Sequence, residues 1–140
     1  MDTNVLVSGT FWSGDSFRIM DLIDRKELIC VLSDPIIEEY NKVLQSDRII
    51  EKIVDNGLIL PRVVQKIIEN SAIVKPEKRF KIIKADPDDD KFIEAAVEGR
   101  SDYIISQDRH LLRIKEFRSI GILSPKDFLR LYYDRTRSRK

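Results

Sequence analysis

The sequence has few residues of the kinds that build disulfides, zinc sites or haem sites. Its 140 residues include one cysteine, Cys30, and one histidine, His110. A single cysteine cannot form an internal disulfide, and one histidine without cysteine pairs cannot build a zinc site. Cys30 lies in the apolar run 28–32, which indicates core packing rather than a reactive thiol. We therefore expect no zinc, haem or iron–sulfur chemistry.

Long apolar runs are also absent. No stretch approaches the roughly 20 residues that span a membrane. The start, MDTNVLV, has neither the basic region nor the apolar core of a signal peptide. These features predict a cytoplasmic protein that does not enter a membrane. The 25 Lys and Arg residues nearly balance the 24 Asp and Glu residues, so net charge alone predicts no nucleic-acid partner.

Linkers and repeats are missing as well, which bears on domain number. The chain has only five glycines and five prolines, and 42% of its residues are hydrophobic. This composition and length fit one compact domain. We expect a single domain over residues 1–134 and a disordered basic tail over residues 135–140.

Short apolar runs alternate with amphipathic stretches along the chain. Strands are predicted at a short N-terminal stub and at 28–32, 72–74, 103–105 and 120–123. Helices are predicted between them and after the last one, starting near residues 15, 34, 47, 61, 89, 107 and 124. The alternation predicts an α/β fold, a three-layer α/β/α sandwich around a central parallel sheet. Ligands of such sheets bind at the carboxyl ends of the strands.

Carboxylates occur at the places where this fold would put a site. Asp2 follows the N-terminal stub, and Asp108 follows the strand at 103–105. The run 86–90 places four aspartates ahead of a helix. Carboxylates this close raise one another's pKa values, so a cation or a helix N-terminus should compensate. Helix capping in a solvated loop is the alternative interpretation of this run.

Glu39 is the acid that the helix after residue 33 directs towards a cleft. At about 100° per residue, the apolar arc centres near Tyr40, with Glu39 at its border and Glu38 nearly opposite. Asp2, Glu39, Asp89 and Asp108 would then come from four element ends. Carboxylates without His or thiol partners select Mg²⁺ or Mn²⁺, for which phosphates are natural substrates. The set predicts metal-dependent phosphodiester hydrolysis.

Four segments resemble the PIN-domain family of metal-dependent ribonucleases, many of which are VapC-like toxins of toxin–antitoxin pairs. The resemblance covers nearly the whole chain, from Asp2 to about Leu131. Its segments are Asp-Thr-Asn-Val-Leu-Val-Ser at 2–8, Leu-Ser to Glu-Glu-Tyr and Val-Leu at 32–44, Asp-Pro-Asp-Asp-Asp-Lys-Phe at 86–92, and Asp-Tyr-Ile-Ile-Ser-Gln-Asp at 102–108 with Leu-Leu at 111–112.

The resemblance implies a role for each matching position. Asp2, Glu39 and Asp108 would be metal ligands and catalytic acids, with Asn4 and Ser106 in support. The third acid would be Asp89, with Asp90 as the competing metal ligand. The implied activity is endonucleolytic cleavage of single-stranded RNA by metal-activated water, leaving 5′-phosphate and 3′-hydroxyl ends. An antitoxin that covers the cleft and a homodimer are the implied protein partners.

The resemblance also shows a difference at the N-terminus. Members usually begin with an apolar first strand before the Asp-Thr-Asn motif, whereas Met1 directly precedes Asp2 here. We expect the first strand to be truncated in this sequence and the natural start to lie upstream. A chain extended upstream should then be more stable and bind metal more tightly.

Basic and aromatic residues near the acids suggest nucleic-acid contacts. Lys84, Lys91, Arg109 and Arg113 flank the acidic motifs and could hold a phosphate backbone, or could be ordinary solvated surface. Trp12 could stack on an unpaired base, although core or dimer packing is the favoured interpretation. His110 is expected to be a surface residue.

Three other functions remain to be weighed against an RNA nuclease. A nuclease for DNA or for RNA processing would use the same phosphate chemistry, so sequence does not separate them. A non-catalytic nucleic-acid-binding or assembly module is disfavoured because all four acidic positions are filled. A phosphoacceptor receiver domain would need a lysine on a late strand, and the strand at 120–123 has none.

Overall fold

The computed structural model describes residues 1–11, 14–58, 60–84 and 86–138, which form helices α1–α8 and strands β1–β5. The helices are α1 Thr3–Phe11, α2 Asp15–Asp24, α3 Asp34–Leu44, α4 Asp47–Asp55, α5 Leu60–Glu69, α6 Asp90–Glu98, α7 Arg109–Leu112 and α8 Pro125–Ser138. The strands are β1 Cys30–Ser33, β2 Ser71–Val74, β3 Tyr103–Ile105, β4 Glu116–Phe117 and β5 Ile120–Leu123. The predicted α/β class is confirmed.

The strands form two small sheets rather than one continuous sheet. β1 pairs with β2 in parallel, with Cys30 opposite Ser71, and β3 pairs with β5 in parallel, with Tyr103 opposite Gly121. β4 runs antiparallel to β5. Within the described residues, no strand joins β1 to β3. The carboxyl ends of β1 and β3 nevertheless lead directly into α3 and into the segment that carries Asp108.

The region after β3 differs from the single helix predicted at 107–115. α7 is one turn long, and β4 and β5 form a hairpin. Lys115, Arg118 and Ser119 have φ values of 64°, 50° and 68°. Residues in this left-handed region end a right-handed helix and allow a tight turn. The helix therefore stops before its predicted end at residue 115, and the chain reverses between β4 and β5.

A groove of about 400 Å³ lies between the residues of β1 and β3. Leu28 and Cys30 line one side, Tyr103 and Ile105 line the other, and apolar residues of α6 line it as well. At one end, the Asp2 amide donates a hydrogen bond to the Ile105 carbonyl at 3.0 Å. This contact places Asp2 beside the end of β3, and α1 begins immediately after it.

The core is built from the apolar faces of the helices packed against the two sheets. In α1, the side chains of Val5 and Leu6 are both 0% exposed. At Gly9 a Cβ atom would lie 2.3 Å from Met20 Cγ, so the absence of a side chain lets α1 approach α2 closely. The N-terminal motif is therefore fixed by packing on α2 and α3.

The last helix extends further than the sequence predicts. α8 runs to Ser138, so residues 135–138 are helical, whereas the sequence predicts them to be disordered. Residues 139 and 140 of the predicted tail lie outside the described residues.

Among the helices in the described part of the chain, none has both the length and the apolar character needed to cross a bilayer.

Candidate active site

Three of the four predicted acids, Asp2, Glu39 and Asp108, place their charges around the carboxyl group of the fourth, Asp89. Asp89 ends a short 3₁₀ turn, Pro87–Asp89, just before α6. Burial, and then in decreasing order the negative charges of Asp86, Asp108, Glu39 and Asp2, together raise its pKa to about 7. Asp2 precedes α1, Glu39 lies on α3 and Asp108 is the N-cap of α7. The start of α1, the middle of α3, the turn before α6 and the start of α7 thus bring together acids that are far apart in sequence.

Asp2 is buried and held by three hydrogen bonds. Its Oδ1 accepts from the Val5 amide at 2.9 Å, and its Oδ2 accepts from the Ser106 hydroxyl and from the Gln107 amide. The Ser106 Oγ in turn accepts from the Asp108 amide at 2.9 Å. Ser106, which is 0% exposed, therefore links two of the acids. The family resemblance implies Ser106 as a residue that supports the metal ligands.

Glu39 is held from both sides. Lys91 Nζ lies 2.9 Å from its Oε1 and 2.9 Å from Asp88 Oδ2, and the Thr3 hydroxyl donates to its Oε2. Burial lowers the pKa of Lys91, but its hydrogen bonds to Asp88 and Glu39 and their negative charges outweigh this and raise it. Lys91 is therefore a counter-ion of the acids. The sequence suggests a substrate contact for Lys91 instead. Thr3 lies inside the Asp-Thr-Asn motif, but the sequence alone predicts no role for it.

Asp90 makes different contacts from its neighbour Asp89. Its side chain is buried, and its Oδ1 accepts hydrogen bonds from the Ile82 and Ile83 amides at 3.2 and 3.0 Å. It is not among the charges that raise the pKa of Asp89. These contacts attach the segment before the acidic run to α6. They differ from the metal-ligand role given to Asp90 as the alternative third acid.

Asp108 serves as a helix cap as well as a member of the cluster. Its Oδ1 accepts from the His110 amide at 2.7 Å and the Leu111 amide at 3.4 Å. Capping and clustering are therefore compatible here, because a carboxylate has a second oxygen. His110 is partly buried in the first turn of α7.

The remaining predicted residues are more peripheral. Lys84, Arg109 and Arg113 are exposed and form no salt bridge with any described residue. Their charges are available to a polyanion but are not built into the cluster. The Asn4 side chain and Trp12 lie outside the described residues, so their predicted roles stay predictions.

The cluster has the chemistry of a site for a hard cation. Asp89 Oδ2 is buried among like charges and has no hydrogen-bond partner among the residues that the structure describes. Such an oxygen is costly to bury unless a cation compensates it. Over residues 1–11, 14–58, 60–84 and 86–138, however, no three Asp, Glu, His or Cys side chains form a group that could hold a metal ion as they are placed here. Lys91, Thr3 and Ser106 already occupy oxygens of Glu39 and Asp2.

Comparison with known families assigns the chain. Residues 1–110 match the family model described as PIN domain, which is well over half of the sequence. The chain therefore belongs to the PIN-domain family, whose members are in general nucleases. Neither the curated proteins nor the solved structures include a significant match to it.

Proposed function

We propose that the protein is a metal-dependent phosphodiesterase, an endoribonuclease that cleaves single-stranded RNA with a metal-activated water. The observation that carries the proposal is the buried, unpartnered oxygen of Asp89 among the charges of Asp2, Glu39 and Asp108. This arrangement favours a bound cation over an unoccupied cluster.

Asp2, Glu39, Asp89 and Asp108 would hold the cation, for which Mg²⁺ and Mn²⁺ are the candidates because all donors are carboxylate oxygens. When bound, such an ion supplies a water of lowered pKa and neutralises charge on the phosphate. Asp90 has no part in this proposal because its carboxylate is used by the backbone of residues 82 and 83.

The chain's other residues orient the acids and attract the substrate. Ser106 and Thr3 each donate to one carboxylate oxygen, which fixes the rotamers of Asp2 and Glu39. Lys91 balances part of the negative charge that would otherwise repel a phosphate. Lys84, Arg109 and Arg113 would provide exposed positive charge for the RNA backbone.

The test is cleavage of a quenched fluorescent single-stranded RNA, with Mg²⁺, Mn²⁺ or EDTA. We expect activity only with metal, and a loss of at least 100-fold in Asp2→Asn, Asp108→Asn and Glu39→Gln. Glu38→Gln is the matched control, because Glu38 is the exposed neighbour of Glu39 on the same helix. Equal loss in both glutamate variants would show a folding effect and not a site.

A matched panel of RNA and DNA oligonucleotides distinguishes the related nucleases. Preference for DNA or for a structured RNA would replace the single-strand ribonuclease with a DNA or RNA-processing nuclease at the same site.

One observation favours a non-catalytic binding module. Among the described residues, no three acidic, His or Cys side chains form a group that could hold a metal ion. Metal binding measured by calorimetry, without cleavage of any substrate in the panel, would support that module.

A toxin role is a further part of the proposal and needs a partner. An antitoxin would cover the cleft and bring a basic side chain to the acids, and a homodimer would enlarge a positive groove. Expression of the protein in growing cells, with growth as the readout, tests the toxin role. Unimpaired growth during high expression of an RNA-cleaving protein would exclude it.

A further inference from the structure

A small cavity lies at the N-terminal end of α3, next to the candidate active site. Its volume is about 150 Å³, which is room for several water molecules or a small anion. Ser33 lines it at the start of α3, Lys75 and Arg79 line it from the segment after β2, and Lys91 and Glu94 line it from α6. We call this cavity the α3 pocket.

Ser33 carries the argument, because the residue lines the pocket and its buried hydroxyl has no partner among the described residues. The residue is 1% exposed, and its Oγ is buried and makes no hydrogen bond within the described part of the chain. Ser33 is the N-cap of α3, where a serine hydroxyl ordinarily accepts from a first-turn amide, yet it caps none. Pro35, in that turn, has no N–H to offer. A polar ligand in the pocket would satisfy this hydroxyl.

The charges around the pocket favour an anion as that ligand. Glu94 is already engaged, since its Oε1 pairs with Arg79 at 3.5 Å and its Oε2 accepts from the Phe80 amide. Lys75 is exposed and forms no salt bridge with a described residue. Asp34 also lines the pocket and is exposed.

The helix adds to this positive field. α3 is eleven residues long, and its N-terminus faces the pocket. The N-terminal end of a helix carries a partial positive charge and unpaired amides, which together attract phosphate. The pocket is therefore lined by three basic side chains, of which Arg79 and Lys91 are paired with carboxylates, and by the acids Asp34 and Glu94. The unpaired Lys75, the helix N-terminus and the unpartnered hydroxyl of Ser33 are what an anion in this space would meet.

We infer that the α3 pocket binds a phosphate group, and that this group is a backbone phosphate of the nucleic acid held next to the one that is cleaved. The inference rests on the proposed function. Lys91 lines the pocket and also contacts Glu39. Ser33 and Glu39 are six residues apart on α3, which is about 9 Å along the helix axis. A strand that passes through the active site therefore reaches the α3 pocket with a neighbouring phosphate.

The experiment measures binding separately from cleavage. The full chain is titrated in EDTA with a short fluorescein-labelled oligouridylate, and anisotropy is recorded over a series of salt concentrations. Lys75→Gln is compared with Lys78→Gln, which removes an equal charge from an exposed lysine of the same segment that does not line the pocket. Ser33→Ala is compared with the unchanged chain. A second titration uses inorganic phosphate alone, followed by ³¹P linewidth.

We expect Lys75→Gln to reduce the slope of log K against log salt by about 0.7, the contribution of one phosphate contact on a single strand. Lys78→Gln should leave that slope nearly unchanged. Ser33→Ala should weaken RNA binding about five- to tenfold. Its melting temperature should stay the same or rise, because the buried hydroxyl has no partner in the free protein.

Each other result overturns a defined part of the inference. Equal RNA affinity and slope in all variants overturns the α3 pocket, and would point to water as the partner of Ser33. Variants that weaken inorganic phosphate binding but not RNA binding show a free-anion site and overturn the backbone assignment. Metal-dependent cleavage with unaffected pocket variants leaves the proposed function standing without the pocket. Pocket-dependent RNA binding without cleavage leaves the pocket standing without the nuclease.

Discussion

The hydroxyl of Ser106 donates a hydrogen bond to Oδ2 of Asp2, which joins residues at the two ends of the family match. The hydroxyl oxygen of Ser106 in turn accepts the amide hydrogen of Asp108. Because Ser106 is fully buried, no water can replace it in either contact without a rearrangement. One small side chain therefore sets the relative position of two acids.

Replacing Ser106 by alanine should separate these two acids. We expect the free energy of unfolding to fall by about 1–3 kcal/mol, since a buried carboxylate oxygen loses a donor. Mn²⁺ affinity should fall about 10–100-fold, as for other residues that orient metal ligands. Thermal melting and calorimetry measure these effects. Ser46→Ala is the control, because Ser46 is exposed and makes no side-chain cap hydrogen bond; similar losses in both variants would contradict this role.

Asp89 should make the metal-free protein less stable as pH rises. Its folded-state pKa is raised to about 7 by burial and by neighbouring carboxylates, against an ordinary value of 3.8. Between about pH 4 and 7 the folded state thus binds more protons than the unfolded state, so stability falls with rising pH and then levels off. Asp89→Asn should remove this contribution, worth about 1 kcal/mol after allowance for solvent screening.

The measurement for Asp89 is urea unfolding in EDTA at pH 5 and at pH 8, in the unchanged chain and in Asp89→Asn. The variant should be the more stable protein at pH 8, and the difference should shrink at pH 5. A variant that is less stable at both pH values would mean that Asp89 is a stabilising residue and not a strained one.

Asp90→Asn should lower the stability of the protein at pH 8, whereas Asp89→Asn should raise it. Asp90 is 5% exposed and accepts from two backbone amides, so the change weakens the attachment of residues 82 and 83 to α6. We expect a loss of about 1–3 kcal/mol in the free energy of unfolding at pH 8, while Mn²⁺ affinity of the folded protein changes little. Strongly reduced metal affinity with unchanged stability would place Asp90 among the ligands instead.

An apolar, extended segment added before Met1 should stabilise the protein. The groove between β1 and β3 has an apolar lining, and Asp2 already pairs with Ile105 at its end. Four or five added residues would extend this pairing and raise the melting temperature by about 5 °C, with tighter metal binding because Asp2 is better anchored. A Gly/Ser extension of the same length is the control, and equal melting temperatures for the two extensions would exclude the idea.

The parts of the fold that sequence predicts are those with regular periodicity. The apolar arc of α3 correctly separates the half-buried Glu39 from the exposed Glu38, because helix geometry fixes their directions. The runs of β1, β3 and β5 are likewise found because buried parallel strands are continuously apolar. Local signals of this kind need no knowledge of distant residues.

Long-range polar contacts carry no such periodic signal. Asp89 and Asp90 are adjacent and chemically identical, and only the position of the amides of Ile82 and Ile83 makes their environments differ. The β4–β5 turn depends on left-handed residues that are not glycine, so ordinary turn chemistry does not reveal it. The salt bridge of Lys91 with Glu39 depends on the packing of α3 against α6.

The spread of the four acids along the chain has a consequence for synthesis. Asp2 and Asp108 are separated by most of the chain, and Glu39 and Asp89 lie between them. At about 5–20 residues per second, the ribosome needs roughly 5–20 s to pass from the first of these acids to the last. A nascent chain therefore carries no complete cluster until Asp108 has been synthesised, and a partner that recognises the assembled cluster finds its target only after that point.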